Sequence, residues 1–424
     1  MHSILSHCTD SIHSIAGDTH HSASPMGLWL LLAVASSATE KGSPDRAHVE
    51  KVLGMPSEQA LCVVEELLGQ EPVEDVKGSQ KGPQDLSVKG NPVTDALRSA
   101  MALWIRENSL AELKKWAGKF GIEVNDTVQE EDLYAWRESL PSVIETGDMP
   151  DNDTADAWVA EKTDGLLTKL PIRIEPRTFL VLLSAIATKT IWREPFREIE
   201  NQGFIAGFFK EDSKVLISAD SHDVYVEDTE IGMVGVHVAH GTNGLDVYSV
   251  IADPSVDYLD VIRVAHEISE EDRGDNQGVP LHQLETEASD LYQVSRIKSS
   301  RGDQHVAYLP HWKTENSLEN LQNDRTLGFG YIADAISLRA GINPTETDVI
   351  VQQDVVAEYT ATGFEAAAVT EMAMRVGMVS VPVMKEAFKL EMAFDHPYAV
   401  VAVVRDRSSW TGTPIFSSWV KEII

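Results

Sequence analysis

The side chains of this 424-residue chain that could do chemistry are its 14 histidines and its paired carboxylates. A metal centre needs converging ligands, such as histidines at helical spacing with a carboxylate partner, and neither the His20-His21 pair nor any other histidine shows that pattern. No metal and no cofactor is therefore expected. Glu130-Glu131 and Glu270-Glu271 sit in polar surroundings that leave both partners ionised, so they read as solvated faces rather than as a tuned acid and base. No GxSxG elbow, phosphate-binding loop or dinucleotide fingerprint occurs. The chain does not read as an enzyme.

A different capacity lies in residues 361–377, ATGFEAAAVTEMAMRVG. From Phe364, every second residue is apolar or small: Ala366, Ala368, Thr370, Met372, Met374 and Val376. The intervening set is Glu365, Ala367, Val369, Glu371, Ala373 and Arg375, a face that tolerates water. That is the period of a strand with one dry face. Yet Ala366-Ala367-Ala368 has weak strand propensity and good helix propensity, and taken alone the run is compatible with a surface helix. Strand period written in helix-forming residues suits a segment that changes its structure.

The elements around it begin as helices. Residues 27–37, 57–68, 93–106 and 110–120 carry apolar residues at three- and four-residue spacing. Residues 69–90, rich in Gly, Pro, Lys and Asp, predict an exposed loop. After residue 178 the pattern turns to strands, with a hairpin around the GTNG turn at 241–244. Residues 267–303, polar and charge-dense, predict a long surface connection with one helix. Helices first and strands later, without regular βαβ alternation, indicate an α+β fold.

Sixty-seven acidic residues against 35 basic give a formal charge of −32, which would repel phosphate backbones and excludes nucleic acid as a natural partner. The excess reads as a solubility or salt adaptation of the surface. Hydrophobic residues make up 43%, enough for a sizeable core. Cys8 and Cys62 are too few for a disulfide framework, and a single bridge between them stays open. The apolar run GLWLLLAVASSA at 27–38 lacks a preceding basic stretch and is too short to span a bilayer, so it reads as a core helix rather than an export signal, and no membrane association is expected. The acceptor triplets at Asn125 and Asn152, and the RGD triplets at Arg273 and Arg301, carry little weight as isolated three-residue matches.

Collinear motifs add a resemblance. The hinge-like ATGFEAAA at 361–368 lies downstream of LVLLSAIATKTIWREPF at 180–196 and upstream of DHPY at 395–398. SPMGL at 24–28, EKVLG at 50–54, ALRSAMALWIRENS at 96–109 and LPHWKTENSLENL at 309–321 complete the order. Together these resemble the serpins over nearly the whole chain, in the manner of a divergent, prokaryotic-like member. The resemblance implies a single domain over 1–424, with a large central mixed sheet, two smaller sheets, eight or nine helices and an exposed reactive-centre loop. Residues 361–385 would form the hinge and loop.

Its functional implication is a monomeric suicide-substrate inhibitor of serine proteases: the loop is cleaved, the protease stays acylated, and the freed strand inserts into the central sheet. An acidic surface could speed encounter with a cationic protease. The family leads one to expect an extracellular protein, although no clear signal peptide is visible. The hinge would comprise Gly363, Phe364, Glu365, Ala366, Ala367 and Ala368, and the scissile bond would fall in the window Met374, Arg375, Val376, Gly377 and Met378. Ser184, Gly27 and Gln353 replace the family's Asn, Ser and His where the sheet opens, and Trp192 is retained at the top of the sheet. Ser184 and Gln353 can bond to each other or to backbone. Phe364 stands where the family has Thr or Ser, and its bulk should slow insertion. The alternative is a non-inhibitory serpin whose loop is a substrate or a display element.

Overall fold

The computed structural model describes residues 2–69, 97–106, 130–176, 178–200, 209, 214–270, 278–285, 289–339, 350–364, 384–406 and 408–422. The expected loop at 69–90 and the expected helix at 110–120 lie almost wholly outside them, as do hinge residues Glu365, Ala366, Ala367 and Ala368 and the window Met374 to Met378.

Nine α-helices occur among the described residues: α1 (His2–Ala16), α2 (Pro25–Ser36), α3 (Pro44–Leu53), α4 (Ser57–Leu68), α5 (Glu130–Glu138), α6 (Asn152–Lys162), α7 (Tyr258–Glu270), α8 (Leu281–Leu284) and α9 (Phe329–Arg339). The helix read at 27–37 is α2. Ser24 caps it by accepting from the Gly27 amide, and Pro25 opens its first turn, where no donor is missed. Apolar all round and buried at all but one position, it forms the core helix that its composition demanded.

The strands are β1 (His21–Ala23), β2 (Leu97–Ile105), β3 (Glu145–Asp148), β4 (Leu180–Thr188), β5 (Thr190–Ile191), β6 (Arg197–Glu200), β7 (Lys214–Ile217), β8 (Asp223–Thr229), β9 (Gly232–His240), β10 (Leu245–Ile251), β11 (Tyr292–Ser299), β12 (Gln304–Pro310), β13 (Trp312–Leu318), β14 (Gln353–Tyr359), β15 (Gly363–Phe364), β16 (Lys385–Ala393), β17 (Tyr398–Val404) and β18 (Pro414–Val420). Helices precede most strands, and the fold class is α+β as expected. One sheet runs β1-β18-β17-β10-β9-β8 and another β11-β16-β12-β7-β6. The expected large sheet is present as two halves, β13-β14-β15-β5 and β3-β2-β4. The main core packs α1 to α4 against both halves and against the six-stranded sheet, while α7 covers that sheet's other face.

Two readings of the sequence are corrected. In the segment read as a helix at 93–106, the described residues are a strand instead: 97–105 form β2, paired with β4 from Leu97↔Thr188 to Ile105↔Leu180. Burial on both faces made its stretch 100–105 an unbroken apolar run without a two-residue period, and such a run mimics helical spacing. The polar connection at 267–303 contains, besides helical turns, the strand β11, whose polar and charged residues sit at a sheet edge. Cys8 is buried and Cys62 exposed, and both are free thiols.

Candidate functional site: a strand-wide cleft in the central sheet

β15 is antiparallel to β14, through Tyr359↔Phe364, and antiparallel to β5, through Gly363↔Ile191 and Phe364↔Thr190. Because β5 continues β4, strands β4 and β14 run in the same direction. Among the described residues no ladder joins them. Between them lies a small cleft walled by Ile186, Ala187 and Thr188 of β4 and by Asp354, Val355, Val356 and Ala357 of β14, with Phe364 also in its lining. Two parallel strands separated by an unpaired slot offer backbone donors and acceptors to one antiparallel strand.

The head of the cleft is closed by an aromatic group. Trp192 is 1% exposed, and its indole N–H donates to Thr360 O at 2.9 Å. The Trp192 amide donates to Thr362 O at 3.0 Å and the Phe196 amide to Ala361 O at 2.8 Å. These three bonds hold the turn that reverses the chain from β14 into β15. Phe364 is 2% exposed, edge-on to Trp312 at 6.3 Å and to Tyr359 at 6.5 Å. Gly363 and Phe364 thus occupy the head of the slot, paired on both sides.

Behind Phe196 a pair of buried histidines completes this end. His222 lies 4.5 Å and His237 5.4 Å from the Phe196 ring, between centroids. His222 Nε2 donates to Glu194 O at 2.8 Å, so its Nδ1 is left to accept, 3.0 Å away, from His237 Nε2–H. Both rings are neutral in that arrangement. Burial pushes both pKa values down, and the neighbouring histidines add to the effect at His237. His240 is the opposite case, raised to about 9 by hydrogen bonds to Asp223 at 3.1 Å and Asp246 at 3.0 Å.

Farther along the cleft, α2 bridges its two walls. Ser184 Oγ on β4 donates to Gly27 O at 3.0 Å. Gln353 on β14 accepts from the Ser24 amide at 2.9 Å and donates to Ser24 O at 3.0 Å. Both therefore bond to backbone. A Cβ on Gly27 would lie 3.5 Å from the Gln353 amide nitrogen and 3.6 Å from Ser184 Oγ, which places all three around one point. Sequence reasoning missed Ser24, although a serine before Pro25 is a legible helix cap. It also missed the His222–His237 pair, which carries no local signal because its members lie on different elements.

No family model matches this chain, and no curated protein does. Solved structures do. Serpin48 of the insect Tenebrio molitor, described as a highly specific serpin, is 13% identical, with 100% of this chain and 98% of that one covered at a TM-score of 0.54. Thyroxine-binding globulin in complex with thyroxine is 13% identical, with 99% and 98% covered at 0.59. Mouse protein-Z dependent protease inhibitor is 13% identical, with 100% and 96% covered at 0.55. The chain has the serpin fold over its full length.

Proposed function

We propose that the protein is an irreversible inhibitor of serine proteases that works by loop cleavage, acyl trapping and strand insertion. The observation that carries this reading is the unpaired slot between β4 and β14, headed by Phe364. Continuing the two observed registers puts Ala366 opposite Ala357 and Thr188, and Ala368 opposite Val355 and Ile186. Thr370 then falls opposite Gln353 and Ser184 together. Met372 and Met374 come to Leu182 and Leu180. All share the inward side of Phe364, so the dry set of the sequence matches the face the slot requires. The charged residues Glu371 and Arg375 turn outward.

In this reading a protease serine attacks a loop carbonyl within Met374 to Met378 and remains esterified to the new chain end. Arg375 would suit a trypsin-like enzyme, and Met374 or Val376 a chymotrypsin- or elastase-like one. Insertion of about fourteen residues carries that end about 45 Å, which distorts the acylated protease before water can release it. The bulk of Phe364 is already accommodated, so the barrier to insertion falls on the residues after it. The partner is a serine protease, its approach favoured by the charge of −32 if its own surface is cationic. We take residues 1–424 as one monomeric unit, with 361–385 as its hinge and loop. The second reading, a display or carrier protein whose loop is only a substrate, has the thyroxine complex among the similar structures as its support.

The test is incubation with trypsin, chymotrypsin, elastase and subtilisin, read on a denaturing gel. A complex that survives boiling is expected with at least one enzyme, and Thr370→Glu, which puts a charge on the inward face, should convert inhibition into plain cleavage. Complete cleavage of the unmodified chain by every enzyme, with full protease activity remaining, would overturn the proposal in favour of the second reading.

A further inference from the structure

β11 and β12 are joined by four residues, 300–303, with Gly302 at φ +90°. Such strands ordinarily pair with each other as a hairpin. Here β16 lies between them, antiparallel to β11 through eight register pairs from Tyr292↔Met392 to Ser299↔Lys385 and parallel to β12 through five. From Lys389 onward the strand that follows the loop therefore has both edges occupied, while its first four residues, 385–388, pair with β11 alone.

Side chains fasten the same strand. Asp303 Oδ1, in the turn, accepts from the Phe388 amide at 2.7 Å. Arg296 of β11 lies 5.8 Å over the Phe388 ring and is forked onto Glu285 at 2.6 and 2.8 Å. On the inner face Leu390 and Met392 are buried. Met392 is seated against Gly235, where a Cβ would come within 2.3 Å of its sulfur.

We infer that β11 is a clasp that prevents the uncut loop from inserting by keeping β16 in its sheet. The inference rests on the insertion reading above. Twenty residues, 365–384, connect Phe364 to Lys385. With Met374 drawn down to Leu180, the chain has travelled about 33 Å from the head of the cleft. The ten residues that remain, 375–384, reach at most about 36 Å when fully extended. They must retrace that length and also pass around the sheet to β16, so deep insertion without cleavage requires β16 to unpair. An edge strand could peel from a single neighbour. Here the β11 ladder and the Asp303 bond hold residues 385–388 and must break first, and the β12 ladder must follow for β16 to leave, whereas a cut in the loop removes the requirement.

The experiment compares the full-length protein with a double variant, Arg296→Glu and Asp303→Ala, held at 45 °C. The readouts are mass, susceptibility of the loop to subtilisin, and melting temperature. The unmodified chain should stay uncut and cleavable. The variant should convert, at a rate independent of concentration and at least tenfold faster, to an uncut, subtilisin-resistant form of higher melting temperature. Equal conversion rates for the two proteins overturn the clasp. If the variant does not fold, hydrogen exchange on the unmodified protein decides: β11 and β16 amides exchanging as one slow unit support the clasp, and fast exchange of β16 against slow exchange of β9 overturns it. Nicking the unmodified loop separates the two ideas. A nicked chain without a rise in melting temperature refutes insertion itself, while a rise in the nicked chain without conversion of the uncut variant refutes the clasp alone.

Discussion

Phe364 closes the head of the cleft at the scale of one residue. A serine or threonine there would fill little of the space between Trp312 and Tyr359, whereas a phenyl ring packs edge-on to both. Replacing it with alanine leaves a void in a 2%-exposed site. Phe364→Ala should cost about 3–5 kcal/mol of stability in the uncut protein, read by denaturant unfolding. A loss below about 1 kcal/mol would mean that the ring is not held in the slot.

At the scale of elements, the cleft depends on two walls tied to one helix end. Gln353 bridges β14 to both backbone groups of Ser24, while Ser184 ties β4 to Gly27 by one bond. Gln353→Ala should cost about 1–3 kcal/mol, since two hydrogen bonds to buried backbone are lost. Ser184→Ala should cost about half of that. Hydrogen exchange should show faster amides along β14 and unchanged ones along β9 and β10, and uniform acceleration of all three would argue that the bridge is not local.

For the whole molecule, the buried histidines set the response to pH. His13 and His21 form a second neutral pair: His21 Nδ1 donates to Thr19 O, His13 Nδ1 donates to His21 Nε2 at 2.7 Å, and Ser417 donates to His13 Nε2 at 2.7 Å. Burial lowers the pKa of both, as it does at His222 and His237. The unfolded chain therefore binds more protons than the folded one once pH falls below about 6.5, and stability is lost on acidification. His240 has the opposite sign. Its folded pKa of about 9 gives stability that is fully present below about 6.5 and is lost as pH rises toward 9. Melting temperature should peak near pH 6.5 and fall on both sides, and His240→Gln should make the alkaline limb shallower, leaving the part due to His396, whose pKa, against the lowering effect of burial, is also raised by its bond to Asp395, while the acid limb stays in place. A monotonic profile from pH 5 to 9 would contradict this account.

The sequence alone determined what depends on local order. The apolar surface of α2, the hairpin at GTNG and the helices-then-strands succession are all set by neighbours a few positions apart. Tertiary structure decided what depends on distant partners. β2 looked helical because a strand buried on both faces has no alternation to display. β11 looked like a loop because an edge strand can be polar, and its partner β16 lies some ninety residues downstream. The cleft was invisible for the same reason: it is an absence of pairing between β4 and β14, two segments about 170 residues apart, and no window of sequence records a ladder that two strands do not form.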